Sequence, residues 1–215
     1  MPDLAPSTRR YRGAAPDERR AQRRGQIIRA ALQVYGERGY RAATVKSVCD
    51  AAGLTERYFY ESFANSEALL AACLGTVTDW IFDALAAAGQ DLPPDRPLEQ
   101  LHAKLMAYFE ALRADPRSAR LFLLEVRGVS AEVDQTFEEV LRAYGDAIVR
   151  LLLPTDQDRP DELLVAGVVG GVMHIALRWM DEGFEAPVQR VADGALMLCR
   201  ALLPTGRARD LGGQS

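Results

Sequence analysis

The sequence is poor in the residues from which metal and redox sites are built. It contains three cysteines and two histidines in 215 residues. Cys49, Cys73 and Cys199 are far apart, form no Cys-x-x-Cys pair and have no histidine at zinc-ligand spacing. We therefore expect buried, reduced thiols in a cytoplasmic protein, with no metal and no cofactor.

Motifs of the common enzyme classes and membrane segments are also lacking. The chain contains no phosphate-binding glycine loop, no nucleophile elbow and no cysteine–histidine pair with an orienting group. Its longest apolar run, 163–177, has 15 residues, fewer than the ~20 needed to cross a bilayer, and is expected to form a buried helix. Residues 1–26 hold no apolar core of a signal peptide. These patterns predict a cytoplasmic protein that is not an enzyme and has no membrane partner.

The acidic and basic residues are unevenly distributed along the chain. The formal net charge is -4, yet residues 1–66 hold 12 Arg and Lys against 7 Asp and Glu, whereas residues 67–215 hold 14 against 23. A basic first third joined to an acidic remainder indicates that only the first third contacts a polyanion.

Apolar residues recur at helical spacing along most of the chain. Ile27, Ala30, Ala31, Val34 and Tyr35 form one stripe of an amphipathic helix. No stretch shows sustained two-residue alternation between turn signals, so no sheet is predicted. Capping residues, glycines and prolines divide the chain into about nine helices. The predicted fold class is all-α.

Residues 44–70 contain the pattern of a helix-turn-helix. Thr44 can cap a short helix, Gly53 can supply the positive φ of a tight turn, and Thr55 can cap the next helix, expected to run through Phe63. Burial of both apolar faces against the preceding helix would leave the outer face of the last helix exposed. That face is then free to enter a DNA major groove ~12 Å wide.

The same segment resembles the DNA-binding domain of the TetR/AcrR family of transcriptional regulators over residues 22–70. The resemblance consists of an N-capping threonine, an Ala-Ala-Gly turn, a second threonine, an aromatic run, and a capped helix containing Glu-x-Leu-Leu. These features are Thr44, Ala51, Ala52, Gly53, Thr55, Phe59, Tyr60, Phe63, Glu67, Leu69 and Leu70.

This resemblance implies a homodimeric regulator that binds a double-stranded DNA operator and responds to a small-molecule effector. A repressor released from a palindromic operator by a hydrophobic or amphipathic ligand is expected, although the sequence does not separate a repressor from an activator. The expected organisation is a flexible basic arm (1–16), a helix-turn-helix head (17–66), a helical ligand-binding and dimerisation body (67–204) and a frayed tail (205–215).

The helix positions and the resemblance together select the residues expected to contact DNA. Residues at helix starts can offer backbone N–H groups, hydroxyls or cations to phosphate, and the opening of the recognition helix can reach base edges. Glu56 can accept from a cytosine amino group or pair with Arg57, and both roles stay open. The phosphate candidates are Arg41, Thr44, Lys46 and Tyr60, and the base-reading candidates are Thr55, Glu56, Arg57 and Tyr58.

Ser62 and Ser66 depart from the family, which commonly has a histidine and a lysine at these positions to grip phosphate. We expect arginines of the arm and of the first helix to compensate by lying along the DNA backbone or minor groove. A disordered solubilising tail is the alternative for residues 1–16. The arginines concerned are Arg9, Arg10, Arg12, Arg19, Arg20, Arg23 and Arg24.

The resemblance also implies a ligand pocket among the helices of residues 68–182 and a dimer interface on the last two helices. Each pocket candidate can instead be an ordinary core residue, and small residues would let paired helices approach closely. The pocket candidates are Trp80, His102, Met106, Tyr108, Phe109, Phe122, Glu125, Met173, His174 and Trp179, and the dimer candidates are Ala166, Gly167, Gly170 and Gly171.

Two other functions remain as alternatives at this point. One is an all-helical enzyme, which no motif in the sequence supports. The other is a ligand- or protein-binding module whose head has lost specific DNA recognition, with which Ser62 and Ser66 are compatible.

Overall fold

The computed structural model describes residues 16–153 and 159–204, and within these ranges the chain forms nine α-helices and no strand. The predicted all-α class is confirmed. Nearly all of the predicted arm and the whole predicted tail lie outside the described residues. The helices are α1 (Pro16–Arg38), α2 (Val45–Ala52), α3 (Glu56–Tyr60), α4 (Ser66–Ala87), α5 (Pro97–Ala114), α6 (Pro116–Arg120), α7 (Ala131–Leu152), α8 (Glu162–Asp181) and α9 (Val188–Cys199), with a π-helical turn at Leu121–Glu125 and 3-10 turns at Tyr40–Ala42 and Arg200–Leu202.

The first three helices pack around one apolar centre. Ile27 and Ala31 of α1, Val48 of α2 and Phe59 of α3 meet there together with Phe63, and each is at most 4% exposed. Removing such side chains from water is the main favourable contribution to the stability of a small helical unit. The aromatic residues of the sequence motif are therefore core residues of the head.

The start of α2 is capped as predicted, whereas α3 is shorter than predicted. The Ser47 N–H donates to Thr44 Oγ1 at 3.1 Å and the Thr44 N–H donates to Ser47 Oγ at 3.0 Å, a reciprocal capping box. Thr55 makes no side-chain cap, and α3 ends before Phe63, which was expected inside it. The chain must leave the helix there because Asn65 already caps α4.

The remaining helices build the body around a second part of the core. Helix α5 lies against α4 and α9, α7 lies against α4, α5 and α8, and α8 lies against α9. The α7–α8 crossing is close, since a Cβ added at Gly145 would lie 2.6 Å from Val165 Cγ1. Edge-to-face packing of Phe109 on Trp179, with ring centroids 5.7 Å apart, joins α5 to α8.

Helix α8 is buried on one side only, which corrects the expectation of a buried helix at 163–177. Helices α4 and α8 are long and apolar enough to cross a membrane by length and composition alone. Both nevertheless contribute to the core, for example through Leu74 and Ala176, which are fully buried. The other side of α8 exposes large apolar side chains, including Leu163 at 83%.

The head is joined to the body where α1 crosses α6 and the π-helical turn. A Cβ added at Gly36 would lie only 2.4 Å from Arg117 Cβ, so the helices touch at this glycine. Beside it, Arg117 Nη2 lies 2.8 Å from Glu37 Oε1. After α1 ends, the Tyr40 N–H donates to Glu125 Oε2 at 2.8 Å. We call this set of contacts the junction.

Candidate nucleic-acid interface and ligand cavity

The turn between α2 and α3 has a fixed geometry. Gly53 has a φ of +65°, a conformation that residues with a Cβ rarely adopt. The Leu54 N–H donates to Cys49 O at 3.0 Å, which closes the end of α2. Gln26 Nε2 on α1 donates to Ala52 O at 2.7 Å. The start of α3 is therefore held in one orientation relative to α1 and α2.

Most of the predicted DNA-contacting residues lie on the outer surface of this unit. Thr44 and Lys46, at the start of α2, and Thr55 and Glu56, at the start of α3, are exposed. Tyr60, the last residue of α3, is 59% exposed. Hydroxyls, an ammonium and the free N–H groups of two helix starts are thus available to a bound anion.

Arg57 and Tyr58 are engaged within the head. Arg57 Nε lies 3.2 Å from Glu61 Oε1, so Arg57 pairs with Glu61 and not with Glu56. The Arg57 side chain is 84% exposed, and a helix pair of this kind stabilises by only about 0.3–0.5 kcal/mol. The guanidinium of Arg23 stands 4.6 Å above the Tyr58 ring, which is half-buried. Arg57 can therefore leave its partner readily, whereas Tyr58 is partly covered.

Two arginines of α1, which were expected to act with the arm on DNA, have hydrogen-bond partners at the end of α3. Arg20 Nη2 donates to Glu61 O at 2.7 Å and Arg24 Nη1 donates to Ser62 O at 2.9 Å. The last carbonyls of a helix lack partners within it, so these guanidinium groups complete α3. Arg19 is exposed, while Arg9, Arg10 and Arg12 lie outside the described residues.

Arg41 lies at the junction. It is exposed, and its Nη2 donates to Gly128 O in the body at 3.4 Å, a long and weak hydrogen bond. The structure thus places Arg41 in contact with the body.

The body contains a cavity of about 450 Å³ between α4, α5, α7, α8 and the π-helical turn. Small-molecule sites commonly have volumes of roughly 300–1,000 Å³. Its wall is mainly aliphatic and aromatic, with Lys104 and Arg150 as the charged members. Arg150 is exposed, and Lys104 Nζ donates to Leu85 O at 2.6 Å and to Ala88 O at 3.1 Å at the end of α4.

Only part of the predicted pocket set lies on this wall. Tyr108, Phe122 and Met173 line the cavity. Each helix packs against several neighbours, so many of its large side chains face away from the cavity. The other predicted pocket residues do not line the cavity, which corrects the expectation for them. They are Phe109 and Trp179 in the core, Met106 packed against the core, His102 beside Asp193 of α9, Glu125 at the junction, and the exposed Trp80 and His174.

Sequence reasoning missed Tyr144 of α7, which lines the cavity and contacts three other aromatic rings. Its ring stacks on Phe82 with centroids 4.5 Å apart and meets Tyr108 and Phe122 edge-on at 6.4 and 6.2 Å. Burial raises the pKa of Tyr144 and that of Tyr108, so both phenols stay protonated in the physiological range. The helical stripe of α7 was the available signal, since it places Tyr144 on the apolar side.

The predicted dimer residues lie on the outer side of α8. Ala166, Gly167 and Gly170 are exposed, and a Cβ added at either glycine would meet nothing within 4 Å. Gly171 differs, because a Cβ there would lie 2.8 Å from Leu198 Cδ1 of α9. Gly171 thus serves the packing of α8 on α9 within one subunit.

The described residues contain no group of three or more His, Cys, Asp or Glu that could hold a metal ion. Cys49, Cys73 and Cys199 are free and buried. Burial raises the pKa of Cys73 to about 12 and that of Cys199 to about 11. These thiols are therefore protonated packing residues.

Comparison with known proteins agrees with the geometry of the head. The model of the family described as bacterial regulatory proteins, tetR family, matches residues 27–73. The HTH-type transcriptional repressor KstR2 of Mycobacterium tuberculosis is 36% identical over 92 residues, which are 42% of this chain and 44% of that protein. The HTH-type transcriptional activator FasR of Mycolicibacterium smegmatis is 28% identical over 133 residues, 62% of this chain and 60% of that protein. The chain thus matches about half the length of these curated relatives.

Among solved structures, FadR from Bacillus subtilis in complex with stearoyl-CoA has a TM-score of 0.66 at 20% sequence identity. The likeness covers 84% of this chain and 99% of that chain, and it shows a shared fold.

The head has the geometry of a helix-turn-helix unit, and an all-helical body follows it. The motif of residues 44–70 lies within the range that the family model matches. Residues 27–73 are therefore similar to the tetR family of bacterial regulatory proteins.

Proposed function

We propose that the protein is a homodimeric transcription regulator that binds a palindromic DNA operator through its head. The supporting observation is the rigid turn at Gly53, which presents the exposed starts of α2 and α3 on one small unit. The basic balance of residues 1–66 gives this unit the charge needed to approach DNA. The proposed operator is double-stranded DNA.

The candidate DNA contacts divide into positioning and base-reading residues. Thr44, Lys46 and Tyr60 are proposed to contact phosphate, with the free N–H groups at the start of α2 beside them. Arg57 is proposed to form a bidentate pair with a guanine, leaving Glu61 when DNA arrives. Thr55, next to the start of α3, is proposed to reach a neighbouring base.

Dimerisation is proposed to use α8 and α9. These helices pack on each other and expose large apolar side chains, among them Leu163 and Met197, which are 83% and 73% exposed. Large apolar side chains that are exposed on two packed helices favour an interaction site there. The absence of side chains at Gly167 and Gly170 would let a partner helix approach closely. Two heads joined in this way could read two half-sites.

The cavity is proposed to hold an apolar or amphipathic effector that releases the protein from DNA. Its size and apolar wall support such a ligand. A solved structure of the same fold was determined with stearoyl-CoA, which is an apolar chain on a charged carrier. The named relatives include both a repressor and an activator, and repression is the direction proposed here.

The π-helical turn is proposed to couple the cavity to the head. Phe122 of this turn lines the cavity, and Glu125 of the same turn accepts the Tyr40 N–H at the junction. A ligand that displaces Phe122 would therefore disturb the support of the head. It would favour a state in which the two heads are wrongly spaced for DNA, which is a shift of population between states.

The cellular setting proposed for this regulator is the cytoplasm, and no catalytic activity is proposed for it. The family model that matches residues 27–73 is described as one of regulatory proteins, which supports this proposal.

The test is selection of binders from a random duplex library by the purified full chain near physiological salt. We expect a palindrome whose half-sites are about one helical turn, ~34 Å, apart. Arg57→Ala should lose roughly 5- to 150-fold in affinity for the selected site, since a good bidentate base contact discriminates by about 1–3 kcal/mol. Arg142→Ala removes an exposed positive charge from the body and should leave the affinity within a factor of two.

Enrichment of no sequence by the wild-type protein would contradict the proposal. It would favour a binding module whose head has lost specific recognition. Equal losses in the Arg57 and Arg142 variants would leave only non-specific electrostatic attraction to DNA.

A further inference from the structure

The cavity wall carries one polar group that the described part of the protein leaves without a partner. Among the described residues, the buried side-chain oxygen and nitrogen atoms that lack a hydrogen-bond partner are Thr78 Oγ1 and the Tyr144 hydroxyl. Thr78 does not line the cavity, whereas Tyr144 does. A buried hydroxyl is unfavourable unless a partner replaces the water it has lost. Since Tyr144 lines the cavity, a ligand bound there is the candidate partner for its hydroxyl.

The Tyr144 ring is held in place. It stacks on Phe82 with an interplanar angle of 9° and a centroid distance of 4.5 Å, and Phe122 and Tyr108 meet it edge-on. Three neighbouring rings therefore oppose rotation of the side chain toward solvent. The ring holds the hydroxyl in a fixed position, as a specific contact with one ligand group requires. A mobile hydroxyl on the surface would be weaker evidence for such a contact.

The surroundings of the hydroxyl restrict the chemistry of its partner. A charged group next to it would lose its hydration among aliphatic and aromatic side chains, which is costly without a counter-charge. The charged residues of the wall do not offer that counter-charge freely, because Lys104 is bound to the carbonyls of Leu85 and Ala88 and Arg150 is exposed. A neutral acceptor is favoured, and a carbonyl oxygen has two lone pairs with which it can accept from Tyr144 and from the neighbouring Tyr108.

We propose that the Tyr144 hydroxyl is the polar anchor of the effector site, donating a hydrogen bond to a neutral carbonyl group within an otherwise apolar ligand. The class comprises apolar ketones, esters and amides whose bulk fits a cavity of about 450 Å³. Any charged part of such a ligand would extend toward the exposed Arg150. This inference rests on the effector cavity of the proposed function and deepens it by naming the ligand class and its specificity residue.

The experiment compares two fluorescent probes that differ only in the carbonyl. One is the ketone 6-propionyl-2-dimethylaminonaphthalene, and the other is the 6-propyl analogue, in which CH₂ replaces C=O. Both are titrated into the full chain without DNA, using the wild type, Tyr144→Phe and Thr78→Val. The measured quantity is the ratio of the two affinities, because non-specific apolar binding contributes to both probes alike.

The wild type should favour the ketone, and Tyr144→Phe should lower the ketone-to-hydrocarbon ratio by roughly 2- to 12-fold, the worth of one neutral hydrogen bond. The emission of the bound ketone should shift to the blue in this variant, since its carbonyl loses a donor. Thr78→Val removes the other partnerless hydroxyl and should leave the ratio unchanged. The melting temperature of ligand-free Tyr144→Phe should equal or exceed that of the wild type, which separates lost binding from lost folding.

An unchanged ratio in Tyr144→Phe would overturn the proposal, and so would failure of the folded wild type to bind either probe. Both results are independent of DNA. If the operator selection succeeds and the probe experiment fails, the proposed regulator function is retained, and Tyr144 is not the anchor of its effector. If the selection fails and the ratio changes as expected, the carbonyl site stands in a protein that is not a regulator.

Discussion

The contact between the head and the body can be tested at a single glycine. A Cβ added at Gly36 would lie 2.4 Å from Arg117 Cβ and 2.8 Å from Arg117 Cα. Non-bonded carbon atoms rest about 3.5–4.0 Å apart, so Gly36→Ala requires α1 and α6 to separate by roughly 1 Å. The Arg117 backbone is one of the obstructing atoms, and a change of side-chain rotamer alone cannot relieve the clash.

The sign of the effect follows from two opposing contributions. Alanine is favoured over glycine inside a helix by about 1 kcal/mol, and overpacking of a close contact destabilises by typically 1–3 kcal/mol. Gly25 lies in the same helix, and the nearest atom to a Cβ there is Arg29 Nη1 at 3.5 Å, an ordinary contact. Gly25→Ala should therefore gain the helix preference alone. The two variants should differ by about 1–3 kcal/mol in unfolding free energy, with Gly36→Ala the less stable.

Urea and thermal unfolding of both variants beside the wild type provide the measurement. For a chain of this size the difference corresponds to roughly 2–12 °C in melting temperature. Gly36→Ala should also weaken operator binding, because the head is no longer seated on α6, whereas Gly25→Ala should not. Equal stability of the two variants would refute the inference that the helices touch at Gly36.

Two further predictions concern the exposed apolar face and the buried thiols. Leu163→Asp combined with Met197→Asp should convert a dimer into a monomer, as measured by sedimentation velocity. The control Leu124→Asp should leave the dimer intact, because Leu124 is 42% exposed but lies outside that face. A monomeric wild type would argue against the interface. Because the pKa of Cys73 is raised to about 12 and that of Cys199 to about 11, the unfolded thiols ionise first as pH rises. Unfolding free energy should therefore fall between about pH 9 and 12, and iodoacetamide should label the native protein at pH 8 only as it unfolds; rapid labelling would contradict the burial.

The head could be predicted in detail because its signals are local. The capping box at Thr44 and the left-handed turn at Gly53 each depend on a few neighbouring residues, and the structure has both. Helical periodicity likewise identified the core positions Phe59 and Phe63.

The cavity could not be predicted to the same degree, because its wall is assembled from five separated elements. Tyr144 and Phe109 both belong to apolar stripes, and only the packing of the helices decides that the first faces the cavity and the second faces Trp179. The partners of the α1 arginines within the head could not be predicted for a related reason. Arg24 finds its acceptor at Ser62, 38 residues along the chain, and no local pattern records that pairing.

The π-helical turn at Leu121–Glu125 lets one short segment contact both the cavity and the head. In an α-helix, residues three apart share a face, so Phe122 and Glu125 would point the same way. A π-helical turn closes its hydrogen bonds one residue further along and holds more residues per turn, which spreads these side chains apart. Phe122 thereby reaches the cavity while Glu125 reaches Tyr40. The different directions of these two side chains thus follow from the register of the backbone. Side-chain substitutions in this turn would preserve the two directions, whereas removal of one residue would abolish them.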